Sequence, residues 1–280
     1  MVESYKLRRL QGMQRELRNA IRDTRSAIRD VVLAPETNYQ VYLKYKYKVG
    51  KPQGYPRAPW RNAVLGTREE WKTAVKQVET LGLPLHSDLP KNWDSLAALD
   101  CILKRTNLNA HILDAGAELY SVILPWLYLY GYRHLIGANL VFNQPVKRGP
   151  IRYQYNDITH TNFDANTFDA ITCLSVIEHG VNLPSYFQEV SRILKPNGVL
   201  ITSTDYYSNS INTGGQIAYG VPIRIFSRDE IISALKIAKE YGLELTDSIN
   251  LDCQGKPVQW GQFNLDYTFI VFTLQKVLPK

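Results

Sequence analysis

From residue 110 onward, short apolar runs with strand character alternate with longer segments whose apolar residues recur at helical spacing. The predicted strands cover residues 111–114, 134–138, 151–155, 169–174, 198–204, about 244–250 and 267–275. The predicted helices between them cover residues 120–130, 183–194 and 228–241. This alternation predicts a mostly parallel sheet covered by helices on both faces, because parallel neighbours need a crossover connection. The last strand follows its predecessor without a helix, so we expect it to be antiparallel.

The first 107 residues have a different pattern, which predicts a helical and basic extension. Apolar residues at three- and four-residue spacing predict a helix over residues 3–32, and further helices are predicted near 68–81 and 92–105. Residues 41–49, VYLKYKYKV, alternate in period two and predict a strand with one lysine-rich face. We therefore divide the chain into two parts, an extension over residues 1–107 and an α/β domain over residues 108–280. We expect the extension to dimerise or to cap a substrate.

Positive charge is concentrated at the start of this extension. Residues 1–61 contain 14 Lys and Arg against five Asp and Glu, a net charge of +9, whereas residues 62–280 carry a net charge of −2. The basic first helix suits packing, dimerisation or an anionic membrane surface. The lysine face at 41–49 suits either exposure to solvent or binding of RNA or a phosphorylated substrate.

Three cysteines without a CxxC pair argue against a disulfide framework or a zinc site. No apolar run approaches 18 residues, so we expect no transmembrane helix. Together these features predict a cytoplasmic protein.

Polar and small residues follow the predicted strands, at the edge of a parallel sheet where ligands bind. Asp114, Gly116 and Glu118 follow the first strand, Asn139 the second, and Asp157 the third. The sequence has no GxxxxGK[ST] loop for phosphates and no cluster of metal ligands. This set predicts a nucleoside-like cofactor without a pyrophosphate, in preference to ATP or NAD, and no metal.

Residues 168–204, FDAITCLSVIEHGVNLPSYFQEVSRILKPNGVLITST, resemble the central part of class I S-adenosylmethionine-dependent methyltransferases. Members of this family typically show FD, an apolar strand, an EH pair, and a helix that ends in LKPGG before the next strand. Asn197 replaces the first glycine of that pair here. Upstream, YNDITHTNFDANTFDA resembles the segment that carries an acidic residue to the adenine amino group. The resemblance covers residues 108–205 well, extends to 275 by pattern alone, and does not cover residues 1–107.

The resemblance implies a Rossmann-like fold, with a seven-stranded, mostly parallel sheet whose last strand is antiparallel. It also implies S-adenosyl-L-methionine as cofactor and S-adenosyl-L-homocysteine as product. Asp114 would open the glycine-rich turn, in which Gly116 would let the backbone approach the amino-acid part of the cofactor. The turn is depleted, because Glu118 and Tyr120 stand where the family has its second and third glycines. Asn139 stands where the family usually has the Asp or Glu that binds the ribose hydroxyls.

Eleven residues are assigned to the cofactor by this resemblance. The turn would bind the amino-acid part, Asp157 the adenine amino group (or merely cap a turn), and Ile158 the adenine ring. Glu118 would bind the cofactor's ammonium group or point to solvent. The predicted cofactor-binding residues are Asp114, Ala115, Gly116, Ala117, Glu118, Asn139, Leu140, Asp157, Ile158, Leu174 and Ser175.

The acceptor side is predicted from the fourth and fifth strand ends. His179, in the EH pair, is a candidate general base or organises its own loop, and Asp205 is a candidate proton acceptor or an ordinary loop residue. The long connection over residues 206–226 predicts a lid that closes over the acceptor. Its predicted substrate-binding residues are Tyr206, Tyr207 and Tyr219.

The segment after strand four reads LSVI and lacks the [ND]PP[YF] motif, which counts against methylation of a nucleobase. The sequence therefore predicts O-methylation of a small molecule, a carbohydrate or a nucleotide-sugar acceptor. We expect no nucleic-acid partner, and the N-terminal helix is a candidate homodimer interface. One open alternative is an RNA methyltransferase that uses the basic N-terminal region. Another is a non-catalytic scaffold with a methyltransferase-like fold, motivated by the depleted turn and by Asn139.

Overall fold

The computed structural model describes residues 18–19, 21–253 and 255–277. Its helices are α1 over 18–19 and 21–33, α2 Glu36–Tyr47, α3 Arg68–Thr80, α4 Lys91–Arg105, α5 Ile123–Leu129, α6 Leu183–Ile193 and α7 Arg228–Glu240. Its strands are β1 Ala63–Val64, β2 His111–Ala115, β3 His134–Ala138, β4 Val146–Arg148, β5 Ile151–Gln154, β6 Phe168–Leu174, β7 Leu194–Tyr206, β8 Ile217–Ala218, β9 Val221–Pro222, β10 Leu243–Leu245, β11 Val258–Trp260 and β12 Leu265–Lys276.

One large sheet runs through the molecule in the order β1-β12-β7-β6-β2-β3-β5-β4, and β10 and β11 also pair with β12. The five strands β5, β3, β2, β6 and β7 are parallel neighbours. Strand β12 is antiparallel to β7 and to β10. The predicted α/β fold, with a mostly parallel sheet of seven strands and an antiparallel last strand, is therefore confirmed. Strands β1, β4 and β11 extend that sheet.

Two hydrophobic cores cover the faces of the sheet, because successive strand residues point to opposite sides. Ile112 of β2 belongs to one core and Leu113 to the other. Helices α3, α4 and α5 contribute to the first core, and α6 and α7 to the second. Helix α4 contacts β6, β7 and β12, so a helix from the N-terminal part lies directly against the central strands. The boundary that we propose near residue 107 therefore follows the sequence pattern, and packing is continuous across it.

The strand predicted over residues 41–49 is wrong, because these residues continue helix α2 to Tyr47. Tyr39 and Leu43 are its buried residues, and their spacing of four positions is the helical period. Lys46 Nζ donates to the Tyr42 hydroxyl at 2.6 Å, one helical turn away. The basic strand surface that supported the RNA alternative therefore does not exist.

The predicted helix over residues 3–32 lies partly outside the described residues, and its described part is helical. The predicted helices near 68–81 and 92–105 correspond to α3 and α4. Among the helices described here, none is both long enough and apolar enough to cross a bilayer.

Candidate active site

The carboxyl ends of the parallel strands bring most of the predicted cofactor-binding residues together. Ala115 lies opposite Ala138 across β2 and β3, and Asp114 lies opposite Thr172 of β6. Leu174 lies opposite Ser203 of β7. The turn after β2, Asn139 after β3 and Ser175 after β6 are therefore neighbours along one edge, as the strand order requires.

The turn after β2 is held by the backbone of β3. The N–H groups of Gly116 and Ala117 both donate to the carbonyl oxygen of Ala138, at 2.7 and 3.1 Å. Gly116 has a φ of 88°, and a Cβ placed on it would lie 2.3 Å from Cγ2 of Val176. Only glycine meets both conditions without strain, because other residues rarely adopt this φ and would overlap Val176.

Asn139 fastens the same turn from the other side. Its Nδ2 donates to the carbonyl oxygens of Gly116 and Ala117, at 3.0 and 3.1 Å. Its Oδ1 accepts from the N–H of Val141 at 3.3 Å. An ionised Asp or Glu could not donate these bonds, because a carboxylate is only an acceptor. The departure from the acidic residue of the family thus has a structural reason in this turn, and the following Leu140 is exposed.

The acidic residues predicted to bind the cofactor differ in the hydrogen bonds that their carboxyl oxygens accept. Asp114 is buried and accepts from the Thr172 hydroxyl at 2.7 Å, and burial raises its pKa to about 7. Oδ1 of Asp157 accepts from the N–H and hydroxyl of Thr159, at 2.8 and 2.7 Å, and so caps a turn. Glu118 is half-buried, and burial raises the pKa of its carboxyl group.

These residues fit a nucleoside-like sulfonium cofactor in their chemistry. The turn has no bulky side chain at Ala115, Gly116 or Ala117, and Ile158 and Leu174 offer half-buried apolar surface. No described residue donates a hydrogen bond to the Glu118 carboxylate or to Oδ2 of Asp157, so both retain acceptor capacity. The described residues contain no group of three or more His, Cys, Asp or Glu that could hold a metal ion.

Buried charges mark the other half of the edge, where α4 meets the ends of β6 and β7. Lys91 Nζ donates to the Ser175 hydroxyl, lies 3.8 Å from Oδ1 of Asp205, and lies 3.7 Å from the ring centroid of Phe269. Asp94, one turn further along α4, is fully buried. Glu178 and Asp205 are buried as well, so one ammonium group faces several carboxyl groups.

A hydrogen-bond network connects these charges to the strand ends. The Ser203 hydroxyl donates to Oδ2 of Asp94 at 2.6 Å, and the N–H of Ser175 donates to the carbonyl of Ser203 at 3.0 Å. The Thr204 hydroxyl donates to Oε2 of Glu178 at 2.9 Å. Ser175 itself has a φ of 55°, a left-handed conformation that costs about 1–3 kcal/mol in a residue other than glycine.

Burial raises the pKa of every carboxyl group of this cluster, and repulsion from a neighbouring carboxyl group adds to this effect at Glu178 and Asp205. Burial and, to a lesser extent, the nearby Glu178 raise the pKa of Asp205 to about 8, although Lys91 and His179 act in the opposite direction. Burial also raises the pKa of Glu178 and of Asp94. Burial lowers the pKa of Lys91, but Asp205, Asp94 and Glu178 outweigh it, and the net direction is upward. Burial lowers the pKa of His179. Such perturbed groups at a strand edge are typical of functional sites.

The predicted substrate-binding tyrosines lie in three different environments. Tyr206 is fully buried and its hydroxyl donates to the carbonyl of Leu251 at 2.5 Å, so it offers no surface to a ligand in this structure. Tyr207 is half-buried beneath Lys256. Tyr219 is 85% exposed at the tip of the β8–β9 hairpin. Its ring lies 5.4 Å from His179 and 6.4 Å from Trp260. We therefore retain Tyr219 and leave Tyr206 out of the proposed acceptor site.

Sequence reasoning missed Lys91 and Asp94, because both precede the segment that carries the family resemblance. Asp94 lies in the first turn of α4, where an acidic residue is ordinary and gives no signal. Lys91 is the first residue of the same helix, where a cation opposes the helix dipole. A lysine at this unfavourable position is the sequence feature that could have indicated a functional role.

Comparisons with known proteins point to methyltransferases. A family model described as Methyltransferase domain matches residues 131–202. Sterol 24-C-methyltransferase erg6 of Schizosaccharomyces pombe is 29% identical over 128 residues, which cover 41% of this chain and 33% of that protein. Sterol 24-C-methyltransferase of Candida albicans is 28% identical over 109 residues, covering 35% of this chain and 29% of that protein. The matched part thus spans about a third of the length of these relatives.

A solved structure shows the same fold over most of the chain. Geranyl diphosphate C-methyltransferase from Streptomyces coelicolor A3(2), in complex with Mg²⁺, geranyl diphosphate and S-adenosyl-L-homocysteine, has a TM-score of 0.51 and 16% identity. The alignment covers 87% of this chain and all of that one. Residues 131–202 therefore match a methyltransferase domain, and the chain has the fold of this solved methyltransferase.

Proposed function

We propose that this protein is an S-adenosylmethionine-dependent methyltransferase that methylates a hydroxyl group of a small molecule, a carbohydrate or a nucleotide sugar. The observation that carries this proposal is the position of Asp205. This carboxyl group lies at the end of β7, 3.8 Å from Lys91, and Lys91 is bonded to Ser175 at the end of β6. A titratable group beside the cofactor-binding edge is what proton removal from a hydroxyl requires.

The residues proposed to hold the cofactor lie along β2, β3, β5 and β6. The turn at residues 114–118 would contact the amino-acid part, Asn139 and Leu140 the ribose, and Asp157 and Ile158 the adenine. Leu174 and Ser175 would line the methionine side. When bound, S-adenosylmethionine supplies an electrophilic methyl group, which replaces the proton of the acceptor hydroxyl.

Asp205 acts in this proposal as the base that takes the hydroxyl proton and then releases it to solvent. His179 connects Asp205 with the Tyr219 hairpin, because the charge of Asp205 favours its protonated form and its ring contacts Tyr219. It would pass the proton outward or hold the lid. The remaining contribution of the protein is positioning, which is a large part of the rate enhancement in a bimolecular transfer.

Tyr219 is proposed as the lid residue that contacts the acceptor. We expect Tyr219→Ala to raise the KM for the acceptor several-fold, because a lost aromatic contact costs about 0.5–1.5 kcal/mol. The Kd of S-adenosylhomocysteine should stay unchanged, since the hairpin lies on the acceptor side. Unchanged acceptor kinetics in this variant would contradict the lid.

Methylation of a carbon acceptor is a second candidate, and a specific observation favours it. Asp94, Glu178 and Asp205 are buried together, and carboxylates in a dry site stabilise developing positive charge on a carbon skeleton. The sterol and geranyl diphosphate relatives are named for C-methylation.

The decisive experiment has two steps. Calorimetry with S-adenosylmethionine and S-adenosylhomocysteine comes first, since a non-catalytic scaffold would bind neither. A screen of sugars, nucleotide sugars, phenols and prenyl diphosphates with ¹³C-methyl-labelled cofactor follows. The ¹³C chemical shift of the product distinguishes an O-methyl from a C-methyl group. RNA binding with a steep dependence on salt would instead support the RNA alternative.

The N-terminal helix remains a proposed homodimer interface, and the cytoplasmic location remains a prediction. Helix α1 exposes apolar side chains at Ile21, Ile28, Val31 and Val32. If this face pairs with a second copy, Ile28→Glu with Val31→Glu should convert the dimer to a monomer in light scattering. A monomer in the wild type would exclude the interface.

A further inference from the structure

We propose that Lys91 is a positioning residue for the base, whose ammonium group orients the Asp205 carboxyl group and favours its ionised form, the form that can take the acceptor's proton. This inference rests on the proposed function, because it assigns a role within the same site. It adds a residue from α4, a helix that lies outside the matched family segment at residues 131–202.

The contacts of Lys91 place its ammonium group beside Asp205. Its Nζ donates to the Ser175 hydroxyl and lies over the Phe269 ring at 3.7 Å. Asp205 is the carboxylate within ion-pair distance, at 3.8 Å. Ser175 and Phe269 therefore hold the cation on two sides, and Asp205 is its ion-pair partner among the described residues.

The location of Lys91 in its helix argues against a purely structural role. It is the first residue of α4, where the helix dipole disfavours a cation, and its side chain is only 17% exposed. Burying a cation at such a position costs stability that a smaller apolar residue would not cost. An unfavourable local choice of this kind is typical of a group retained for function.

Ionisable groups face Asp205 from each element packed around it. Lys91 and Asp88 approach from α4 and the loop before it, Glu178 and His179 from the segment after β6, and Tyr267 from β12. Asp94 faces Lys91 from the next turn of α4. Burial and Glu178 raise the pKa of Asp205, while Lys91 and His179 lower it. Loss of the Lys91 charge should therefore leave Asp205 protonated up to a higher pH.

The test measures the titration of Asp205 directly in the full chain bound to S-adenosylhomocysteine. Aspartate side chains are labelled with ¹³C at Cγ, and the Asp205 signal is assigned by its loss in Asp205→Asn. We expect Lys91→Met to raise the titration midpoint by about 1–3 pH units, which is the usual effect of removing a close opposite charge. Lys91→Arg should keep the midpoint near that of the wild type.

Lys104→Met is the matched control, because Lys104 lies on the same helix and pairs with the buried Asp100 at 2.7 Å. It should leave the Asp205 midpoint unchanged. If Lys91→Met does not fold, Lys91→Gln, which can still donate to Ser175, replaces it. An unchanged midpoint in the neutral variant, or an equal shift in Lys104→Met, would overturn the inference.

The pH profile of methyl transfer, measured with the acceptor found in the screen, provides the second readout. Its acid limb should move upward in Lys91→Met and return in Lys91→Arg. A shifted midpoint with an unshifted profile would also overturn the role of Lys91. If no acceptor is methylated although S-adenosylhomocysteine binds, the proposed function fails, and with it the role of Lys91 in proton transfer. The NMR midpoint then still reports whether the two charges are coupled.

Discussion

The edge formed by the carboxyl ends of the parallel strands has two halves, and different interactions stabilise them. Around β2 and β3, the turn is closed by backbone hydrogen bonds to Ala138 and by the amide of Asn139. Around β6, β7 and α4, the chain instead buries Lys91, Asp94, Glu178 and Asp205 within one network. The first half fixes the backbone of a turn with neutral hydrogen-bonding groups, whereas the second half buries ionisable side chains away from water.

This difference indicates which half of the edge lowers the stability of the fold. Neutral hydrogen bonds that satisfy buried backbone groups stabilise a turn at little cost. Buried ion pairs often contribute less to stability than well-packed apolar residues of similar volume. The charged half is therefore the half whose composition needs a functional explanation, and substitutions in the two halves should have different consequences.

The largest expected effect is on catalysis, in the charged half. Asp205→Asn should lower kcat by about 10²–10⁴-fold, the usual contribution of a general base, because the amide cannot take the proton. Binding of S-adenosylhomocysteine, measured by calorimetry, should remain close to that of the wild type. Retained activity in this variant would transfer the role of base to His179.

The neutral half should respond to Gly116→Ala through stability. The new Cβ would lie 2.3 Å from Val176 in a backbone with φ of 88°, so we expect a loss of about 3 kcal/mol or more. Urea unfolding measures it. Gly214→Ala is the matched control, because Gly214 has a φ of 62° with no atom within 4 Å, and only the cost of strain, about 1 kcal/mol, applies. Equal losses in the two variants would show that the approach of Val176 is unimportant.

Asn139→Asp should have a smaller effect in the same half. It removes both donors to the turn and places a carboxylate against two carbonyl oxygens, at a cost of about 1–3 kcal/mol. Exposed Asn143→Asp is a control for the added charge. If Asn139→Asp instead tightens cofactor binding without loss of stability, ribose recognition governs this position and the turn does not.

Asp114 is the exception in the neutral half, and its effect on stability should be seen only as a slope with pH. Its pKa is about 7 in the folded chain, above the value of an unfolded aspartate, so the folded state binds the proton more tightly. Its stabilising contribution is complete below the unfolded pKa and is lost as pH rises through about 7. Denaturation of Asp114→Asn from pH 4 to pH 8 should show a flatter decline than that of the wild type. Parallel curves would contradict the buried, protonated carboxyl group.

Much of the domain could be predicted because strand and helix periods differ along it. The predicted strand over 134–138 matches β3, and the predicted helix over 183–194 matches α6 to within one residue. The strand predicted over residues 41–49 was wrong because its lysines alternate with apolar residues in the period of a strand. The packing there depends on Tyr39 and Leu43, which are one helical turn apart.

The edge proposed to bind the cofactor could be predicted from sequence, whereas the charged half could be predicted only in part. The residues after each strand are adjacent in any parallel sheet, so Gly116, Asn139 and Ser175 followed from the strand pattern alone. Lys91 and Asp94 come from a helix that precedes the first parallel strand, and only the three-dimensional path of α4 brings them to Asp205. Nor could the sequence pattern show that Tyr206 points into the core, where its hydroxyl donates to the carbonyl oxygen of Leu251.

The amide of Asn139 also has a consequence for how this chain could be re-engineered. A glycine-rich loop grafted onto residues 116–120 would change the partners of Asn139, which reaches back across 22 and 23 positions to that turn. An acidic residue at 139 would in turn suit only a loop that no longer needs two donors. The loop and this one distant residue therefore form a single exchangeable unit, and chimeras that swap one without the other should fold less well than chimeras that swap both.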